Sequence, residues 1–142
     1  MPRQDPYGNF RFRVELGSAT AAGFSEVSIG ALTTDVISYR EGTDPLHVRK
    51  LPGLNRSGNV TLKRGITLSP DLWDWYQQIA TGQLVRRDVV IILQDLTGAD
   101  VLRFVVRDAW PMKYEAGPLN AQGTDIAIET LELANEGIER VQ

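Results

Sequence analysis

The chain has 142 residues, 42% of them hydrophobic, 8% aromatic and 23% charged, which is the composition of an ordinary globular domain rather than a disordered, collagenous or membrane-spanning one. Its 15 Lys and Arg against 18 Asp and Glu leave a net charge of −3, where a dedicated binder of the phosphate backbone carries a basic excess. Cysteine is absent and His47 is the sole histidine, so disulfides, thiol catalysis, thiolate metal sites and multi-histidine zinc sites are excluded.

A single domain over 1–142 is expected, long enough to bury roughly two thirds of its unfolded surface. The start, Met1-Pro2-Arg3-Gln4-Asp5-Pro6, has no apolar run behind its basic residue, so no export signal is expected. The longest strongly apolar stretch is Val89 to Leu93, far short of the ~20 residues of a spanning helix, so no membrane anchor is expected either.

Phe10, Phe12, Val14 and Leu16 alternate with Arg11, Arg13 and Glu15, the period-two pattern of a half-buried strand. Phe24, Val27 and Ile29 predict a second strand whose parity slips, which a bulge near Ser25 explains. Leu32 to Arg40 is rich in β-branched and aromatic residues and predicts a third. Glu41 to Gly58 carries Gly42, Asp44-Pro45, Pro52-Gly53, Asn55 and Ser57-Gly58, so a long loop is expected there, and a loop of that length inside a compact domain calls for a function.

Val60, Leu62 and Ile66 resume strand character. Ser69-Pro70-Asp71 then supplies an N-cap, a first-turn proline and a first-turn acid. The helix that follows places Leu72, Trp75, Tyr76, Ile79 and Ala80 on one apolar face, leaves Trp73 off it and ends at Gly82. Val89 to Gln94 and Val101 to Arg107 predict a hairpin around 95–100, closed by Trp110-Pro111, with Lys113-Tyr114 as a short strand. Ile126 to Leu133 is the last strand, where a bulge near Thr130 reconciles Ile126 and Ile128 with Leu131 and Leu133. Seven or so short strands and one amphipathic helix, without βαβ alternation, favour an antiparallel barrel or sandwich with a flanking helix.

Catalytic signals are weak. His47 lies in the expected loop with no nucleophile-elbow motif in the chain, and no glycine-rich phosphate loop precedes a helix. Asp71 with Asp74 and Glu129 with Glu132 are carboxylate pairs better read as solvated faces. Trp73 alone is free to stack on a ligand. A charge asymmetry stands out more clearly: Arg40, Arg49, Lys50, Arg56, Lys63 and Arg64 face only Glu41 and Asp44 in 40–64, whereas Asp125, Glu129, Glu132, Glu136 and Glu139 face only Arg140 at the end. A basic loop and an acidic tail either meet head to tail between copies or balance within the chain.

Asp5-Pro6-Tyr7-Gly8-Asn9-Phe10-Arg11-Phe12, Ala22-Gly23-Phe24-Ser25-Glu26-Val27, Tyr39-Arg40-Glu41-Gly42, Leu46-His47-Val48-Arg49-Lys50-Leu51-Pro52-Gly53-Leu54, Gly58-Asn59-Val60-Thr61-Leu62-Lys63-Arg64-Gly65, Leu72-Trp73-Asp74-Trp75-Tyr76 and Ala127-Ile128-Glu129-Thr130-Leu131-Glu132-Leu133 together resemble the inner tube proteins of contractile phage tails and phage-tail-like injection particles. The resemblance runs in order along nearly the whole chain. It implies a mainly β fold, a β-barrel of two antiparallel sheets with one flanking helix, related to the type VI secretion tube protein. It implies hexameric rings stacked into a hollow tube inside a contractile sheath, with a baseplate and spike at one end, a terminator at the other, and protein or DNA cargo in the lumen. Four strands from each of six subunits, ~4.8 Å apart and tilted ~40°, would close an inner barrel about 48 Å across.

No enzymatic activity, cofactor or metal is implied, and assembly in the cytoplasm of the producing cell is. The segment 41–59 is expected to reach the neighbouring ring through Glu41, Asp44, Leu46, His47, Arg49, Lys50, Leu51, Leu54 and Asn55, with Glu129, Glu132, Glu136 and Glu139 as the acidic partner segment. Two other readings remain open: a monomeric barrel with a closed apolar ligand cavity, and a minor tube protein next to the baseplate.

Overall fold

The computed structural model describes residues 11–17, 19–21, 24–40, 42, 48–66, 69–119, 121–123 and 127–141. In chain order these form β1 (Phe12–Leu16), β2 (Ala19–Ala21), β3 (Phe24–Ile29), β4 (Leu32–Tyr39), β5 (Arg49–Ser57), β6 (Val60–Gly65), α1 (Asp71–Ala80), β7 (Arg87–Gln94), β8 (Asp100–Ala116), β9 (Ile128–Ala134) and β10 (Gly137–Arg140). All pairings are antiparallel.

One sheet runs β2-β1-β7-β8, with β10 along the far side of β8 at residues 104–107. The expected β7–β8 hairpin is closed by Asp95, whose carboxylate accepts the Thr97 and Ala99 N–H groups, and by Gly98 at φ +87°, a conformation glycine adopts without strain. The second sheet runs β8-β9-β6-β3 and takes the other half of β8, residues 110–116. The expectation that Trp110-Pro111 ends a strand is therefore corrected: β8 continues through it and belongs to both sheets. Pro111 sits at a register shift before Lys113, where a missing N–H costs no ladder bond. Just upstream, Asp108 has φ 50° and gives its N–H to the Asp88 carboxylate rather than to a strand, so the chain twists out of one sheet and into the other.

The bulge expected near Ser25 is present, as a register shift between Phe24 and Glu26. The one expected near Thr130 is not. β9 pairs with β6 without interruption from Val60↔Leu133 to Gly65↔Ile128, and its inward parity is Glu129, Leu131 and Leu133. A buried carboxylate, not a bulge, interrupts the apolar pattern. It also corrects the reading of Glu129 as part of a solvated face.

The two sheets face each other. Val14, Leu16, Val89, Ile91 and Val106 from the first meet Val60, Leu62, Leu131 and Leu133 from the second, and Leu72 and Trp75 of α1 complete the core. The strand path ends at β2 on one side and β3 on the other, so among the described residues this is an open two-sheet sandwich joined along β8 rather than a closed barrel.

Helix α1 buries Leu72 and Trp75 and half-buries Tyr76 and Ile79 as expected, but Ala80, expected on the same face, is exposed at the helix end. Its start differs by one position: Pro70 stands at the cap with no side-chain cap bond, and Asp71 accepts the Leu72 N–H instead of Ser69 capping the helix. Trp75 Nε1 donates to the Val85 carbonyl at 2.8 Å, tying the helix to the segment entering β7.

The largest departure concerns the long loop. Residues 49–57 are not loop but strand β5, paired with β4 in a separate two-stranded ribbon. The turn formers that suggested a loop sit at its irregularity, since Pro52 pairs with Val36 and the register shifts between Thr34 and Val36. A ribbon with both outer edges open tolerates proline and a bulge where a central strand does not.

Candidate assembly interface

Strands β3 and β4, and β5 and β6, are consecutive stretches of one long β-ribbon, broken where Gly30 faces Gly58. A Cβ on Gly30 would stand 2.4 Å from the Asn59 carbonyl oxygen, and one on Gly58 would stand 2.8 Å from the Ala31 backbone N and O. Only glycine permits so close an approach. The Gly58 N–H donates to the Ala31 carbonyl at 2.8 Å across the break, which sets the direction in which the β4–β5 arm leaves the body.

The arm is apolar on both faces. Register places Leu32 and Val36 on one face, with Ile37 and Leu51 on the other and Leu54 at the bulge. Leu32, Val36 and Leu54 are 62%, 63% and 70% exposed. An isolated two-stranded hairpin is marginal in water, and a contiguous exposed apolar patch marks a contact surface. Within the arm, Arg56 donates to both carboxylate oxygens of Asp35 at 3.1 and 3.2 Å through Nε, which holds that carboxyl below its usual range. The Arg49 guanidinium lies 6.0 Å over the Tyr39 ring. Arg49, Lys50, Leu51, Leu54 and Asn55 all lie on β5 and are exposed, whereas Glu41, Asp44, Leu46 and His47 lie outside the described residues.

Beneath α1 sits a buried ionic cluster. Arg64 is 3% and Glu129 4% exposed. The Arg64 guanidinium donates to Glu129 and to Asp71, and Tyr114 Oη donates to Glu129 Oε2 at 2.6 Å. Burial works against the charged form of Asp71, but Arg64 outweighs it and the carboxyl stays below its usual range. Burial and the bond to Glu129 push Tyr114 up to about 12. The cluster joins β6, β8 and β9 to the start of the helix, and Asp71 is thereby committed to Arg64 rather than paired with Asp74 for chemistry.

The acids of the C-terminal segment find partners in their own chain: Glu129 in this cluster, Glu132 accepting from Asn59 Nδ2 at 3.0 Å, Glu136 from Arg86 and Glu139 from Arg107 at 3.3 Å. The outward face of the second sheet is polar, with Glu26 beside Lys63 (3.9 Å) and Lys113 beside Glu115 (3.6 Å), and Thr61, Thr130 and Glu132 between them. Among the described residues no three His, Cys, Asp or Glu side chains gather to hold a metal, and no helix is long and apolar enough to cross a membrane.

Over residues 8–139 the chain matches the family described as T4-like virus tail tube protein gp19. The chain belongs to that tail tube family. No curated protein sequence matches it. Among solved structures, the tube-terminating cap of the anti-feeding prophage is 25% identical with a TM-score of 0.90, over 99% of this chain and 94% of that one. The sheath-tube complex of an extracellular contractile injection system, PVC, in its extended state is 28% identical with a TM-score of 0.86, over 96% and 91%. Hcp1 from Flavobacterium johnsoniae shares the fold alone, at 14% identity and a TM-score of 0.57 over 92% and 94%.

This is accordingly a structural tube protein of the contractile-injection and phage-tail type, a component of virion tails or injection particles. Sequence reasoning placed five of its tube-contact candidates, Arg49, Lys50, Leu51, Leu54 and Asn55, on a loop that proves to be a strand. It missed the Gly30–Gly58 pair, whose signal was one glycine between β3 and β4 and another between β5 and β6, facing each other within one β-ribbon. It also missed Arg64 and Glu129, which occupy inward parity positions between Leu62 and the helix and between Ile128 and Leu131.

Proposed function

We propose that the protein forms the hollow inner tube of a contractile particle as stacked hexameric rings, a rigid conduit driven through a target envelope when the surrounding sheath contracts. The observation that carries this reading is the second sheet, four strands with an open edge at each end, β3 and residues 111–116 of β8. The directions alternate across β8, β9, β6 and β3, so the two edges run oppositely. Rotation about a ring axis brings β3 of one copy beside β8 of the next in antiparallel sense. An even strand count thus lets identical subunits continue one sheet around a ring and leaves no edge exposed.

In that ring the polar outward face bearing Glu26, Lys63, Lys113, Glu115 and Glu132 lines the lumen, where protein or DNA cargo passes. The segment 41–59 reaches the neighbouring ring through Arg49, Lys50, Leu51, Leu54 and Asn55 on β5, together with Glu41, Asp44, Leu46 and His47. Glu136 and Glu139, outside that lumenal face, are the acids it meets, each exchanging or sharing its present partner, Arg86 or Arg107. The partners are sheath, baseplate and terminator proteins, without catalysis or cofactor. Assembly takes place inside the producing cell and action in a virion tail or extracellular particle.

A second reading, a minor or terminal tube component, is favoured by the likeness to a tube-terminating cap. Negative-stain electron microscopy of the purified protein and of sheared native particles tests both. Long smooth hollow tubes are expected. Single rings found only at particle ends would mean the minor role, and monomers in both preparations would overturn assembly.

A further inference from the structure

Gly30 and Gly58 let the ribbon cross closely where the arm leaves the body, but they contribute no side chain to hold it there. Register is continuous through the break, since Ile29 pairs with Val60 and Leu32 with Ser57. Gly58 therefore stands opposite Ala31, to which it gives its N–H at 2.8 Å. On its other side β6 is paired with β9 as far as Val60 and Leu133. Carried two residues further, that ladder would set Gly58 opposite Asn135, but there the chain has already left β9 and turns towards β10. The backbone N–H that a continued ladder would offer to the Gly58 carbonyl is missing, and a half-buried carbonyl without a donor is costly.

Asn135 supplies the donor from its side chain. Its Nδ2 donates to the Gly58 carbonyl at 2.9 Å, while its Oδ1 accepts the Gly137 N–H at 3.1 Å, so one amide group bridges the root of the arm and the turn between β9 and β10. The turn is itself fixed to the first sheet, because the Glu136 N–H donates to the Arg107 carbonyl at 2.9 Å and Gly137 pairs with Arg107. The arm is braced within, by Thr34 Oγ1 donating to Asn55 Oδ1 at 2.8 Å and by Arg56 on Asp35. It turns as one piece, and its freedom lies at its root.

We infer that Asn135 is a positioning residue for the arm: its bond to the Gly58 carbonyl fixes the angle at which β4 and β5 leave the body. The inference rests on the tube reading for the use of a fixed arm, since every copy must present it alike and an arm ordered beforehand spares that entropy on assembly. The positioning itself is a property of the single chain.

The chain has no cysteine, so Ser38→Cys on the arm and Gln83→Cys after the helix, both at exposed positions, carry the only spin labels. Their distance distribution is measured by double electron–electron resonance on the protein diluted out of assemblies. One narrow distribution is expected with Asn135 in place. Asn135→Asp keeps an acceptor for the Gly137 N–H and loses the donor to Gly58, whereas Asn135→Ala loses both. Each is expected to widen the distribution at least about twofold, because the Gly58 carbonyl is left without its partner. A distribution already wide with Asn135 present, or a narrow one in either variant, overturns the inference. Tyr114→Phe is the control for lost stability: it removes a bond in the buried cluster and is expected to leave the distribution unchanged. Widening equal to that of Asn135→Asp would show that the arm follows the stability of the whole fold, and would overturn the inference as well.

Imaging the same variants for tubes separates the positioning from the reading it rests on. A widened distribution with a lower tube yield supports both. A widened distribution with full tube yield supports the positioning and removes the use given to it. A widened distribution in a protein whose unaltered form assembles in no preparation supports the positioning and overturns the tube reading.

Discussion

Arg64 and Glu129 show most directly how a single residue departs from what its sequence context leads one to expect. Each is a charged residue on the inward parity of its strand, and each is tolerated there because the other, with Asp71 and Tyr114, satisfies it. Breaking a buried ion pair leaves an uncompensated charge, so Glu129→Ala is expected to lower unfolding stability by about 3–5 kcal/mol, read as a fall in the urea midpoint at unchanged slope. Lys63→Ala, whose 3.9 Å contact with Glu26 is solvent-exposed, is expected to change it by less than about 1 kcal/mol. Equal effects would mean that the buried cluster is not holding the helix.

Tyr114 makes a pH-dependent prediction. Its pKa is raised to about 12 in the folded chain from an unfolded value of about 10. The neutral phenol's contribution is therefore fully present below pH about 10 and is lost as pH rises towards about 12. Tyr114→Phe removes that window, so between those limits its denaturation midpoint should fall less steeply than that of the unaltered protein. Parallel slopes would show that Tyr114 does not titrate in the cluster.

At the scale of elements, much of the architecture was legible because local pattern and tertiary context agree. The alternation of Phe12, Val14 and Leu16 survives as β1, the Ser25 bulge is where parity slips, and the apolar face of α1 is the one its spacing predicts. What failed to show had a physical cause in each instance. β2 and β10 are three and four residues long, too short for periodicity to register. Residue β-propensity could not reveal β5, because Pro52, Gly53 and Asn55 are poor strand formers that an exposed ribbon accommodates at a bulge. Strand β8 passes through Pro111 because a strand moving between sheets drops a ladder bond there in any case. The glycine break in the ribbon is the element on which the arm depends. Gly58→Ala, forcing a Cβ to 2.8 Å from backbone atoms of Ala31, is expected to cost about 1–3 kcal/mol as overpacking does and to reduce tube yield by turning the arm. Gly42→Ala meets no atom within 4 Å and is expected to leave the unfolding midpoint unchanged. Equal midpoints for the two variants would deny the break its role.

The whole molecule makes sense only as a repeating unit. Taken alone it carries two unpaired edges on its second sheet and an arm with apolar side chains on both faces, each a liability for a solitary domain. In the proposed tube they are the joints between copies. The exposed strand β5 falls within the stretch 41–59 singled out in the sequence, but its geometry was not legible there, because which face it exposes depends on long-range pairing that no local pattern encodes. Net charge carried little of the answer, since the acids of the C-terminal segment have partners at hand in their own chain.

The most direct test is a cryo-electron microscopy reconstruction of the native tube that resolves the joint between neighbouring subunits. The account predicts β3 of each copy hydrogen-bonded antiparallel to residues 111–116 of the next, with Lys63, Lys113 and Glu132 facing the lumen. A ring in which β3 remains unpaired, or in which β1 and β7 form the inner wall, would contradict it.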